Sequence, residues 1–141
     1  MSYKSVKFSE INEGDELPAF NREITRTTII ASAIASRDFT PVHHDHEVAQ
    51  KAGAKDIFLN ILSTGGFIGK YLTDWSGPEG ELKKMVINLG MTVYPGDTIT
   101  HTGKIAKKYA EEGQNLIDVE YALSVADGPH AWGTVTMALA D

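Results

Sequence analysis

Between Ala35 and Gly53 the chain reads ASRDFTPVHHDHEVAQKAG. Nine consecutive residues within it, Asp38 to His46, carry two carboxylates and three imidazoles, and only His101 and His130 lie elsewhere. Three chemistries can use such a set: a metal centre, an acid/base pair, or a polar turn that holds histidines for local reasons. His43, His44 and His46 with Asp45 are ligand types that suit zinc or iron(II), yet adjacent residues rarely aim at one ion. No metal site is expected. Asp38 and His43 form the stronger pair, because the bend at Thr40-Pro41 between them restricts the backbone and can hold both side chains on one water. Taken singly, each has a plainer reading: Asp38 as a turn carboxylate bonding nearby amides, His43 as a satisfied loop imidazole. With Pro41 and a long downstream helix the balance moves to catalysis. His44 and His46 are expected as exposed residues at a helix start, and His101 and His130 as strand or turn residues with no chemical role.

The elements that must position this pair follow from periodicity. In TTIIASAIASRDF, apolar residues at Ile29, Ile30, Ala33 and Ile34 line one helical face, with Thr27 or Thr28 as cap and Pro41 ending the run. A short helix is predicted from about Asp45 to Lys51, capped by Asp45 and stopped at Gly53. From Asp56 to Trp75 the spacing of Ile61, Leu62, Gly65, Ile68, Gly69 and Leu72 predicts the longest and most apolar helix. Its glycines Gly65, Gly66 and Gly69 each cost roughly 1 kcal/mol relative to alanine, so a close neighbour or a bound ligand is expected against that face. The first 20 residues read as a lead-in with one short strand near Val6–Phe8. After the turn SGPEG the period changes to that of strands, in KKMVINLGMTVY, DTITHTGKIAKKY, NLIDVEYALSVAD and HAWGTVTMALAD. Turns at Pro95–Asp97, Ala110–Gln114 and Asp127–Pro129 join them, with Pro95-Gly96 suited to a type II turn. The expected architecture is α+β: one domain over residues 1–141, with an antiparallel four-strand meander wrapped around a long central helix.

Composition bounds the function. The chain has 141 residues, 42% of them hydrophobic and 23% charged, which suits a packed globular domain. It has no cysteine, so disulfides, zinc–thiolate sites and cysteine nucleophiles are excluded. A formal charge of −6 argues against a nucleic-acid surface, and the Lys104, Lys107, Lys108 cluster is too small to reverse that. No stretch has the length of a signal peptide's apolar core or of a membrane span, and a cytoplasmic location is expected.

The segment SRDFTPVHHD, Ser36 to Asp45, resembles the signature of the MaoC-like, or R-specific enoyl-CoA hydratase, branch of the hotdog fold: Ser-Gly-Asp-x-Asn-Pro-aliphatic-His-x-Asp. Ser36, Asp38, Pro41, Val42, His43 and Asp45 are in register with it, while Arg37 replaces the usual glycine and Thr40 the usual asparagine. The segment IFLNILSTGGF follows where that family places its central helix, and VYPGDTI matches the turn before its last strands, so the resemblance covers roughly residues 10 to 140. The family's helix usually opens with His-Gly; the matching positions here are Leu59-Asn60. A backbone N–H survives that exchange.

The resemblance implies addition of water to the double bond of a 2-enoyl-CoA thioester (or its reverse), with Asp38 and His43 as the proton-transfer pair. It implies an amide near Asn60 on the thioester carbonyl and no cofactor of the protein's own. It also implies assembly, as a homodimer or as a heteromer with another MaoC-like hotdog chain. Some such heteromers act on bulky steroid side-chain CoA esters, and a glycine face at Gly65 and Gly66 is compatible with a large tail. The chemistry needs a base for water, an acid for the α-carbon and a positive field at the enolate oxygen, which a helix N-terminus supplies. Which member of the pair takes the water proton stays open. Two other functions fit the same architecture: a non-catalytic or acyl-binding subunit of a heteromeric complex, and a hotdog thioesterase.

Overall fold

The structure is a computed structural model and describes residues 4–141. A six-stranded antiparallel sheet has the order β1 (Glu16–Glu23), β4 (Thr98–Glu111), β5 (Gln114–Val125), β6 (Gly128–Ala138), β2 (Glu81–Met85), with β3 (Asn88–Leu89) also on β6. Its centre is the run β4 (Thr98–Glu111), β5 (Gln114–Val125) and β6 (Gly128–Ala138). Ile99, Ile105, Ile117, Val119, Leu123, Val135 and Met137 turn inward from these strands and are almost wholly buried. Against them lies α3 (Ile61–Ser76), whose Ile68 and Leu72 join the same core cluster. Each such side chain contributes on the order of 2 kcal/mol by leaving water. The hotdog arrangement expected from the sequence, a sheet around one long helix, is present.

Several local expectations change. The lead-in strand near Val6–Phe8 is instead irregular chain followed by a single 3-10 turn at Phe8–Glu10. The true first strand is β1 (Glu16–Glu23), which pairs only with β4 and carries an irregularity between Leu17 and Phe20, around Pro18. Only Leu17 of its eight residues is buried, so no alternation marked it. The segment read as one strand in KKMVINLGMTVY divides into β2 (Glu81–Met85) and β3 (Asn88–Leu89), both on the outer side of β6. The meander is thus three strands long, flanked by β1 on one side and by β2 and β3 on the other. The turns behave as their residues require: Gly96 has φ +94°, and Glu112 and Gly113 both have positive φ.

Helix α1 (Arg26–Ala35) is capped by Thr25, not Thr27 or Thr28: the Thr25 hydroxyl accepts from the Thr28 amide. Helix α2 (His46–Lys51) has Asp45 as its cap, accepting from Val48 N–H at 3.1 Å, and Gly53 follows in the left-handed region. Helix α3 begins at Ile61, later than the periodicity suggests, because Leu59 N–H bonds to Val93 C=O and holds the chain extended there. The glycines of α3 also differ from expectation. A Cβ on Gly65 would sit 3.5 Å from Ile87, an ordinary contact, and one on Gly66 would meet nothing within 4 Å.

Candidate active site

Asp38 is placed by the end of α1. Arg37 N–H bonds Ile34 C=O and Asp38 N–H bonds Ala33 C=O, the double closure of a Schellman motif, with Arg37 left-handed at φ +57°. That conformation is why glycine suits the position where this chain has arginine. The turn delivers the Asp38 carboxylate beside the start of α3. One oxygen accepts from Thr40 N–H at 3.2 Å, and the other from the Asn60 side-chain amide at 2.9 Å. The Asn60 bond, and after it those from Thr40, hold the Asp38 carboxyl at about 2, well below its ordinary range. It is a carboxylate at every pH of physiological interest.

His43 ends the 3-10 turn Pro41–His43 and is buried. Its Nδ1 lies 2.7 Å from the Phe58 carbonyl oxygen, which can only accept, so Nδ1 carries the proton. In the neutral ring Nε2 is then a lone pair, and it faces Asp38 Oδ2 at 3.4 Å. Two acceptors this close, with no proton between them, are the arrangement that one water bridges by donating to both. The Phe58 ring packs edge-on against the imidazole, centroids 4.9 Å apart, and fixes its plane.

Asn60 does two jobs. Its side-chain oxygen caps α3 by accepting from Ser63 N–H at 3.0 Å and from the Ser63 hydroxyl, while its amide nitrogen donates to Asp38 and to Ser36 Oγ. No side-chain donor of Asn60 is left for a carbonyl, although Asn60 and Ile61 both line the cavity. Capping satisfies the Ser63 amide, and Thr64 N–H bonds Asn60 C=O, which leaves the N–H groups of Ile61 and Leu62 without intrahelical acceptors. They form the positive end of the α3 dipole.

Asp38, His43, Phe58, Asn60, Ile61, Met91 and His130 line one cavity of about 300 Å³. Three of the sequence-derived candidates, Asp38, His43 and Asn60, therefore meet. Gly65 and Gly66 do not line it, because only the first turn of α3 reaches the cavity. His44 and His46 are exposed, and His46 bonds Asp56, which also holds Arg26 through two hydrogen bonds. Among the described residues no cluster of three or more metal-ligating side chains occurs. His130 escaped sequence reasoning: 87 positions from His43, it joins the site only because β6 passes behind it, and no local pattern marks it. A separate cleft between β1 and α3, lined by Phe20, Phe67, Trp75 and Arg22, has only the exposed Lys70–Asp74 pair at its edge.

Known proteins resemble this chain over most of its length. The profile of the MaoC like domain matches residues 11–128. The 3-oxo-4,17-pregnadiene-20-carboxyl-CoA hydratase beta subunit of Mycobacterium tuberculosis is 36% identical over 128 residues, covering 91% of this chain and 96% of that protein. The crystal structure of the ChsH1-ChsH2 complex from the same organism contains a chain with 36% identity and a TM-score of 0.84, over 91% of this chain and 98% of that one. The R-hydratase PhaJ1 from Pseudomonas aeruginosa, at 17% identity, shares the fold with a TM-score of 0.85 over 99% of this chain and 90% of its own. With most of its length matched by the family profile and by a relative of this identity, the chain belongs to the MaoC-like family of hotdog proteins.

Proposed function

We propose that this chain is a catalytic hydratase subunit that adds water across the double bond of a 2-enoyl-CoA thioester. The observation that carries the reading is the facing pair of acceptors, Asp38 Oδ2 and His43 Nε2, 3.4 Å apart at the mouth of α3. A water donating to both is oriented with its oxygen lone pair free for the β-carbon. As that C–O bond forms, one of the pair takes the water proton and the π electrons move onto the thioester oxygen. Amides at the start of α3 stabilise the resulting enolate. The same proton is then returned to the α-carbon, so water is consumed and the pair ends as it began. Asp38, held near 2 by Asn60, is a weak base whose charge steadies an imidazolium, which favours His43 Nε2 as the proton carrier.

The substrate side is open in a way that supports a partner. Ile61 at the start of α3, Leu89 in β3 and Met91 just after it are large apolar side chains that line the cavity, and with the neighbouring Leu62 they are 42–54% exposed. A second MaoC-like chain covering them would complete the pocket, as a homodimer or as a heteromer. The relative named as a beta subunit, and the solved two-protein complex, support the heteromer and a bulky steroid-type acyl group.

The test follows loss of enoyl-thioester absorbance with the purified chain, alone and with a co-expressed MaoC-like partner. Asp38→Asn and His43→Ala are expected to lower kcat by about 10²–10⁴-fold each. Unchanged rates in both variants would refute the hydratase reading, and release of free thiol in place of hydration would replace it with a thioesterase. Crotonyl-CoA turnover equal to or better than that of a steroid-type enoyl-CoA would rule out the bulky substrate.

A further inference from the structure

His130 is buried at the start of β6, and both of its ring nitrogens are engaged. Nδ1 lies 2.6 Å from the Met91 carbonyl oxygen and so carries the proton. Burial favours the neutral ring, leaving Nε2 to accept from Thr64 Oγ1 at 2.9 Å. Thr64 is fully buried in α3, where its hydroxyl has only a longer alternative, the Asn60 carbonyl at 3.3 Å. With both nitrogens occupied, His130 has no free ring atom to move a proton, although it lines the cavity.

Its partners define what it does. Gly90 N–H and Met91 N–H bond the carbonyls of His130 and Pro129, each at 2.8 Å, so the segment after β3 is fastened to β6. Gly90 permits this approach, since a Cβ there would fall 2.5 Å from the Pro129 oxygen. The His130–Thr64 bond then joins that segment to α3, four residues into the helix whose N-terminus faces the cavity. Two walls of the site, one on α3 and one at Leu89–Thr92, are thereby held at a set separation by one imidazole.

Resting on the hydratase reading, we propose that His130 and Thr64 are positioning residues that hold the α3 amides against the thioester carbonyl through the bridge Met91–His130–Thr64. Their effect falls on enolate stabilisation and not on the proton transfers of Asp38 and His43.

The experiment uses the active chain, with its partner where activity requires one. Thr64→Val removes the hydroxyl at constant volume; His130→Asn keeps a donor for Met91 but withdraws the acceptor for Thr64; Thr64→Ser restores the hydroxyl. A partly displaced oxyanion donor is expected to lower kcat about tenfold in the first two variants, below the 10²–10³-fold of outright removal. KM should stay within about twofold and the pH profile of kcat should keep its shape, since no proton carrier is touched. The absorption red-shift of bound cinnamoyl-CoA, which reads polarisation of the thioester carbonyl, should shrink in both and recover with Thr64→Ser. Combining Thr64→Val with His130→Asn should cost no more than either alone, because both break one bridge. Wild-type kcat and a full red-shift in Thr64→Val and His130→Asn would overturn the proposal while leaving the hydratase intact. A wild-type protein that hydrates no enoyl-CoA would instead sink the hydratase reading itself, with the red-shift series still reporting on the bridge.

Discussion

Asn60 links stability to catalysis in one side chain, and its two roles separate by mutation. Asn60→Ala removes the α3 cap, about 1 kcal/mol. It also strands the buried hydroxyl of Ser63, about 1 kcal/mol more. A total near 2 kcal/mol should lower the melting temperature by about 4–8 °C. Asn60→Ser keeps the cap, since serine and asparagine cap about equally well, and should cost below about 0.5 kcal/mol. Its hydroxyl is too short to serve Ser63 and also reach Asp38, so both variants leave the carboxylate with only its Thr40 bond. The Asp38 carboxyl then moves from about 2 towards 3.8, and Oδ2, the oxygen facing His43, loses the bond that orients it. Each variant should lose about 10- to 100-fold in kcat, part of what a positioned acid/base group supplies. Activity should also fall off near pH 4, where wild type still holds Asp38 ionised. Thermal unfolding together with enoyl-thioester hydration rates measures both arms. If Asn60→Ser keeps wild-type kcat down to pH 4, the Asn60–Asp38 bond has no catalytic part.

Arg37→Gly should stabilise the fold by about 1 kcal/mol in urea unfolding, because it relieves a left-handed residue at the end of α1. Gly66→Ala should stabilise the isolated chain by about 1 kcal/mol, since the added methyl meets nothing within 4 Å; a loss would show that the site is not open. The Asp56 carboxyl is held far below its ordinary range by Arg26, then by His46. A folded pKa below the unfolded 3.8 contributes stability that is complete above that pH and is lost as pH falls through the folded value. Asp56→Asn should therefore lower stability at pH 7 and flatten its decline below pH 4, read by denaturation at a series of pH values.

Much of this protein is written in short-range pattern. The i, i+3, i+4 spacing in α1 and α3, the alternation in β4 to β6 and the Asp45 cap depend on neighbours within a few residues, so periodicity locates them. The Asp38 and His43 pair is legible for the same reason: a Schellman turn and a 3-10 turn, both local, set carboxylate and imidazole five positions apart. What tertiary structure decided depends on which strands lie side by side. β1 is a strand only because β4 offers it an edge. The Asn60 side-chain amide turns to Asp38 only because α1 ends beside α3. His130 enters the site across 66 residues from Thr64 because β6 runs behind α3. Hydrogen-bonding partners at such distances are chosen by packing of the whole sheet, and no window of sequence contains both members of the pair.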